Sequence, residues 1–213
     1  MATFVLIHGG GGVAWQWHLL DPELRARGHE VVAVDLPLAD EKAGLAELAD
    51  AVVEAVGGRT DVVVVAHSWG GFVGPLVCDR LGARLLVMLA AMIPAPGEPP
   101  GDWWAATGFE GPGDDSAAAF CHDLPPALAE EAMRRTQDHA ERSLVEPWPL
   151  TTWPDVPTKV LICGDDRFFR PEFMRRIARE RLGAAPEEIG GSHMVMLSRP
   201  EELAARLDGY VRP

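Results

Sequence analysis

Lysine is almost missing from this 213-residue chain: Lys42 and Lys159 are the only two, beside one tyrosine and three cysteines. Bases number 19 against 32 acids, a formal net charge of −13. A surface of that sign repels phosphate backbones and anionic lipid, so neither nucleic acid nor a membrane is expected as a partner. Long apolar runs are also lacking: none approaches the ~20 residues of a membrane-spanning helix. The start, Met1 to His8, has no basic region and no long apolar stretch, so no secretion signal is read there and a cytoplasmic location is expected. Cys78, Cys121 and Cys163 are odd in number and widely spaced, which fits free thiols in a reducing compartment rather than a disulfide scaffold. No G-x-x-x-x-G-K-[ST] phosphate loop, internal repeat or low-complexity tract occurs.

What is present is an average globular composition, 47% hydrophobic and 24% charged, on a length that suits one domain with a modest insertion. Short apolar runs at Phe4–Ile7, Val31–Val34, Val62–Ala66, Leu85–Ala90 and Val160–Cys163 read as strands covered on both faces, with a weaker sixth near Pro186–Ile189. Helical stretches alternate with them, near Trp15–Arg27, Glu41–Val56, Phe72–Leu81, Glu172–Arg181 and Pro200–Val211. This alternation predicts an α/β fold with a doubly wound, mostly parallel six-stranded sheet. The proline-rich stretch 92–157 breaks the rhythm and holds one clear helix, about Pro126–Arg142. It reads as a short, mainly helical cap inserted after the fourth strand. The core is then 1–91 plus 158–213, in a single structural domain.

Four features carry chemistry, and each follows a predicted strand, where open parallel sheets place their sites. The strand Val62–Val65 runs into Ala66-His67-Ser68-Trp69-Gly70, a small-x-Ser-x-Gly turn ahead of a helix. Such a nucleophile elbow pushes the serine oxygen out at the top of the sheet; read blandly, Ser68 would cap a helix. His8-Gly9-Gly10-Gly11-Gly12 follows the first strand. Its glycines let the backbone aim N–H groups at a developing oxyanion, with Gly10 and Trp69 as the two donors. His8 is read as holding this loop by a hydrogen bond, and His67 as pointing away from the turn. Gly190-Gly191-Ser192-His193 follows the last strand and offers His193 as the general base. Cys163-Gly164-Asp165-Asp166 follows the fifth strand and offers an acid to hold the imidazole, Asp166 or Asp165. The order serine, acid, histidine is that of α/β-hydrolases.

Taken together these residues resemble the α/β-hydrolase superfamily, and within it the group of plant methyl esterases and hydroxynitrile lyases. The likeness runs through Phe4–Gly9, Trp15 and Trp17, Gly28-His29-Glu30-Val31, Val34-Asp35-Leu36, Ala66–Gly71, Cys163–Asp166 with Pro171-Glu172-Phe173, and Gly191–Leu197. It covers the chain apart from the cap. The resemblance implies strand order 2-1-3-4-5-6 and no cofactor or metal. It also implies that Asp166 is the acid, seven residues before the phenylalanine of the Pro-Glu-Phe run. Cyanohydrin-cleaving members carry a lysine directly after the histidine, where this chain has Met194, which argues for ester hydrolysis.

The expected function is therefore a serine hydrolase that cleaves a small-molecule carboxylic ester through an acyl-enzyme. Ser68, His193 and Asp166 form the triad. The pocket is expected from Gly9, Trp103, Trp104, Phe109, Phe120 and Met194. A lyase or cyclase step with His193 as general base is the alternative, and a ligand receptor with a vestigial triad the third reading. Oligomeric state is not legible, although a homodimer is compatible.

Overall fold

The computed structural model describes residues 1–111 and 117–212; residues 112–116, within the 92–157 stretch, lie outside the described residues. Six strands build one sheet: β1 (Thr3–Ile7), β2 (Glu30–Val34), β3 (Val62–His67), β4 (Leu85–Leu89), β5 (Thr158–Cys163) and β6 (Glu187–Ile189). Their order is β2-β1-β3-β4-β5-β6, as expected. Every neighbouring pair is parallel. The register pairs Ile7 with Ala66, His67 with Leu89 and Cys163 with Ile189, so the carboxyl ends of β1, β3, β5 and β6 open toward one side.

The valine run explains why β3 sits mid-sheet. β-Branched side chains suit a pleated surface, and a strand apolar on both faces must be covered on both. Val62, Val64 and Ala66 enter one core layer. It is closed by α2 (Leu45–Val56), α3 (Gly74–Leu81) and α8 (Pro171–Leu182). Val63 and Val65 enter the opposite layer, closed by α1 (Leu20–Ala26) and α10 (Pro200–Val211). A further short helix, α9 (Val195–Ser198), precedes α10.

Several helices are shorter than the hydrophobic pattern suggests. Trp15–Arg27 divides into a 3₁₀ turn at Ala14–Trp17 and α1, because Pro22 is tolerated in a first turn but not inside a helix begun at Trp15. The second starts at Leu45 and not Glu41, since the Glu47 carboxylate accepts the Gly44 N–H at 2.9 Å and caps it there.

Four short helices lie between β4 and β5: α4 (Trp103–Thr107), α5 (Ala117–Phe120), α6 (Pro126–Arg134) and α7 (Arg142–Val145). The expected helix Pro126–Arg142 stops at Arg134 because the chain beyond it is used elsewhere. The Gln137 N–H donates to Gly11 O at 2.9 Å. The Gln137 side-chain amide donates to Gly12 O at 2.7 Å and to Leu36 O at 3.0 Å. This tertiary pairing overrides local helix propensity. Two buried tryptophans anchor the same stretch: Trp103 Nε1–H donates to Ile93 O, just after β4, and Trp148 Nε1–H to Phe72 O, in the turn after β3, each at 3.0 Å. Among the described residues no helix is long and apolar enough to cross a membrane.

Candidate active site

The turn after β3 is strained. Ser68 has φ +52°, a left-handed conformation that a serine adopts only when its surroundings impose it. Here they do. The Ser68 carbonyl accepts the Met92 N–H at 2.9 Å. A Cβ on Gly71 would fall 1.9 Å from Met92 O, so the turn and the chain just after β4 approach too closely for any side chain there. On the other side a Cβ on Gly9 would lie 2.8 Å from Ser68 Cβ and 3.2 Å from its Oγ. Glycine at position 9 therefore keeps open the space in front of the serine hydroxyl.

His193 follows β6. Its Nδ1–H donates to Asp166 Oδ2 at 2.7 Å, and both side chains are almost wholly buried. The other carboxylate oxygen of Asp166 accepts the Phe168 and Phe169 N–H groups at 2.8 and 2.9 Å. Asp166 is thus fixed as an acceptor, and the proton on Nδ1 leaves Nε2 as the basic nitrogen. That Nε2 is buried without a partner among the described residues. Asp165 does a different job: its Oδ2 accepts the Gly191 N–H at 2.8 Å and holds the histidine loop. The stretch after α5 holds that loop as well. Phe120 O accepts the Met194 N–H at 3.1 Å. Asp123 Oδ2 accepts the Ser192 N–H at 3.0 Å, and His122 Nε2–H donates to Asp165 O at 2.8 Å. Partial burial opposes ionisation of Asp123, but the Ser192 backbone N–H and the neighbouring Ser192 and Ser198 hydroxyls outweigh it and hold its carboxyl below the usual range.

Three further histidines surround the glycine loop. His8 is fully buried; its Nδ1–H donates to Gly9 O at 2.8 Å and its Nε2 accepts the Leu36 N–H at 3.0 Å. His67 turns its Nε2–H to the His193 carbonyl at 3.0 Å, which fixes the His193 backbone and leaves His67 Nδ1 as a buried acceptor without a partner among the described residues. His139 stands edge-on to Trp69, with ring centroids 4.4 Å apart. Burial lowers the pKa of all three: moderately at His8, far below the ordinary value at His67, and to about 4 at His139. At neutral pH none of them carries charge, and none competes with His193 as an acid.

This has a consequence for stability. The unfolded chain regains ordinary histidine pKa values near 6.5, so as pH falls through that value it takes up protons that the fold refuses. Stability is therefore full above about pH 6.5 and declines as pH drops toward the depressed folded values, by up to ~1.4 kcal/mol per pH unit for each such histidine. Thermal melts are expected to show a lower Tm at pH 5 than at pH 7, with a shallower decline in His139→Gln. A flat Tm over that range would contradict the neutral burial.

A cavity of about 100 Å³ opens onto Ser68 and His193. Gly9 to Gly12, Gln16 and His67 line one wall. Phe120, Cys121, Ala132, Met133, Thr136 and Met194 line the remainder. Of the six expected pocket residues, Gly9, Phe120 and Met194 are placed there. Trp103, Trp104 and Phe109 are not. Trp103 is fully buried, and the three pack with Phe168, Phe169 and Phe173 in one aromatic cluster, at centroid distances from 5.0 to 6.4 Å. Phe169 in turn stands 5.3 Å from the His193 ring, so the cluster backs the imidazole, and Trp103, Trp104 and Phe109 stay out of this cavity's wall. Gly10 adjoins Trp69, where a Cβ on Gly10 would meet the tryptophan Cβ at 3.3 Å. The Trp69 indole is buried and away from the cavity lining. Gln16 and Met133 were not legible beforehand; a lone polar residue between Trp15 and Trp17 was the one available signal. The thiols are not ready thiolates, because burial raises the pKa of Cys121, of Cys163 and, to about 12, of Cys78.

Comparison with known proteins matches residues 4–206 to the pattern of the Alpha/beta hydrolase family. Methylesterase 7 of Arabidopsis thaliana is 27% identical over 244 aligned residues, which cover 96% of this chain and 94% of that protein. Norfluorocurarine synthase 1 of a Strychnos species is 25% identical, covering 94% and 91%. The crystal structure of polyneuridine aldehyde esterase superposes with a TM-score of 0.82 at 22% identity over 100% of both chains, a likeness of fold.

Proposed function

Because the chain belongs to the alpha/beta hydrolase family, we propose that it hydrolyses a small-molecule carboxylic ester through an acyl-enzyme on Ser68. The observation that carries this reading is the buried His193–Asp166 pair. It presents an unpartnered Nε2 to the same cavity that Ser68 enters from its strained turn. The methylesterase likeness supports an ester as substrate.

In this mechanism Ser68 Oγ attacks the ester carbonyl while His193 Nε2 takes the hydroxyl proton. The tetrahedral oxyanion faces the Gly10 and Trp69 N–H groups, donors of a kind that contributes ~10²–10³ each to the rate. Collapse breaks the bond to the alkoxide, which receives the proton from His193, and the alcohol leaves. Water then gives a proton to His193 and its oxygen attacks the acyl carbon. The acid departs as the proton returns to Ser68. Asp166 stays ionised throughout, stabilising the imidazolium. The stretch 92–157 acts as a cap on this site, through the residues that it adds to the cavity wall.

A fluorophosphonate tests the nucleophile. Its phosphorus should bond Ser68 Oγ with loss of fluoride, seen as one adduct in the intact mass, absent in Ser68→Ala. A folded wild-type protein that forms no adduct would overturn the covalent route. The synthase likeness favours a second reading, a lyase or cyclase step with His193 as base. Incorporation of oxygen from labelled water into the acid product separates the two, since only hydrolysis incorporates it.

A further inference from the structure

The cavity wall contains polar side chains that this mechanism leaves unused, Gln16, His67 and Thr136 among them. Gln16 lies in the 3₁₀ turn after the glycine loop and is 8% exposed, yet it lines the cavity together with Ser68 and His193. Its Oε1 is buried with no hydrogen-bond partner among the described residues. A buried amide oxygen without a partner forfeits the free energy of a lost hydrogen bond, so such groups mark places where something else binds. The side chain lies flat on the loop: a Cβ on Gly12 would fall 2.9 Å from both its Oε1 and its Nε2. Glycine at position 12 thus gives the amide its place beside the cavity. His67 Nδ1 is a second buried acceptor in the same wall, fixed in that role because Nε2–H is committed to the His193 carbonyl.

The remainder of the lining sets the kind of molecule that fits. Among the described residues no lysine, arginine, aspartate or glutamate lines the cavity, and Phe120, Ala132, Met133 and Met194 make much of its wall apolar. An ionised substrate arm would find no counter-charge there. The volume of about 100 Å³ is below the roughly 150 Å³ that accommodates a benzene, so the part of the arm that the cavity encloses is short and aliphatic.

We propose that Gln16 is a specificity-determining residue, which selects a short, uncharged ester arm bearing a hydroxyl group whose O–H donates to Gln16 Oε1. This rests on Ser68 being the nucleophile of an ester hydrolase. A site built to pair a buried polar group discriminates against the analogue that lacks the partner, because the protein group is then left unpaired.

Two matched pairs test it: methyl 2-hydroxypropanoate against methyl propanoate, and methyl 3-hydroxybutanoate against methyl butanoate. The wild type should show a kcat/KM at least ~10-fold higher for the hydroxylated member of one pair. Gln16→Met, apolar and similar in size, should bring that ratio close to one. Equal kcat/KM within both pairs for the wild type, or a preference that persists in Gln16→Met, would overturn the proposal. If Gln16→Met does not fold, the same preference is read on the Ser68→Ala protein by calorimetry, where the hydroxy ester should bind at least fivefold tighter than its deoxy partner. Equal binding there also overturns it. The Ser68→Ala measurement stands apart from turnover: a wild type that cleaves no ester but binds the hydroxylated member more tightly would remove the hydrolase reading and leave the selection by Gln16 in place.

Discussion

Ser68→Ala is expected to lower kcat by about 10⁶-fold for any ester that the wild type cleaves, with the melting temperature essentially unchanged. Alanine keeps the Cβ and pays the same cost for φ +52°, while the Gly71–Met92 contact that imposes the turn is untouched. What disappears is the oxygen in front of Gly9. Residual hydrolysis should reflect only the oxyanion donors and binding, about 10³–10⁴ above water. Adding His193→Ala to this variant should cost little more, because the two groups act as one unit. Steady-state kinetics beside thermal melts check both halves; a variant that retains more than a few per cent of activity would remove Ser68 from the chemistry.

Asp166→Asn should cost about 10⁴-fold in kcat while leaving the fold intact. The geometry says why. One carboxylate oxygen already accepts two backbone N–H groups, from Phe168 and Phe169. Asparagine would keep its carbonyl oxygen in that position and turn its NH₂ toward His193. The imidazole would then have to accept at Nδ1, which moves its proton to Nε2. A base that already holds its proton cannot take another from Ser68. Asp165→Asn gives the contrast, since Asp165 bonds the Gly191 backbone and not the ring; a much smaller loss is expected. If the two variants lost activity equally, the assignment of the acid would fail.

Much of this site could be read from the chain because its parts are local. A valine strand that ends in Ala66-His67-Ser68-Trp69-Gly70 specifies its own turn, and the sheet order follows from the strand–helix alternation and the resemblance that these motifs carry. Asp165 and Asp166 could not be separated by local rules, since both follow the same strand and differ only in which way they face. The aromatic residues failed for a related reason. Trp103, Trp104 and Phe109 are as apolar as any pocket wall, but side-chain character does not say whether a ring faces the cavity or, as here, packs behind the base on Phe169. Gln16 escaped notice because its position depends on a 3₁₀ turn whose span the helical pattern obscured. The early stop of α6 was likewise settled by distant partners, the Gly11, Gly12 and Leu36 carbonyls that Gln137 reaches.

The bonds from Phe120 and Asp123 to the histidine loop, and from His122 to the Asp165 carbonyl, bear on how such a protein can be rebuilt. Exchange of the segment between β4 and β5 for one from a relative looks like a clean graft, since the chain leaves the sheet and re-enters it at adjacent strands. It is not a clean graft here. The transplant would carry away the acceptors of the Met194 and Ser192 N–H groups on either side of the base. A chimera has to inherit the Phe120–Asp123 stretch along with the new segment, or be supplied with equivalents. In this scaffold, the segment between β4 and β5 and the aim of His193 are not separable modules.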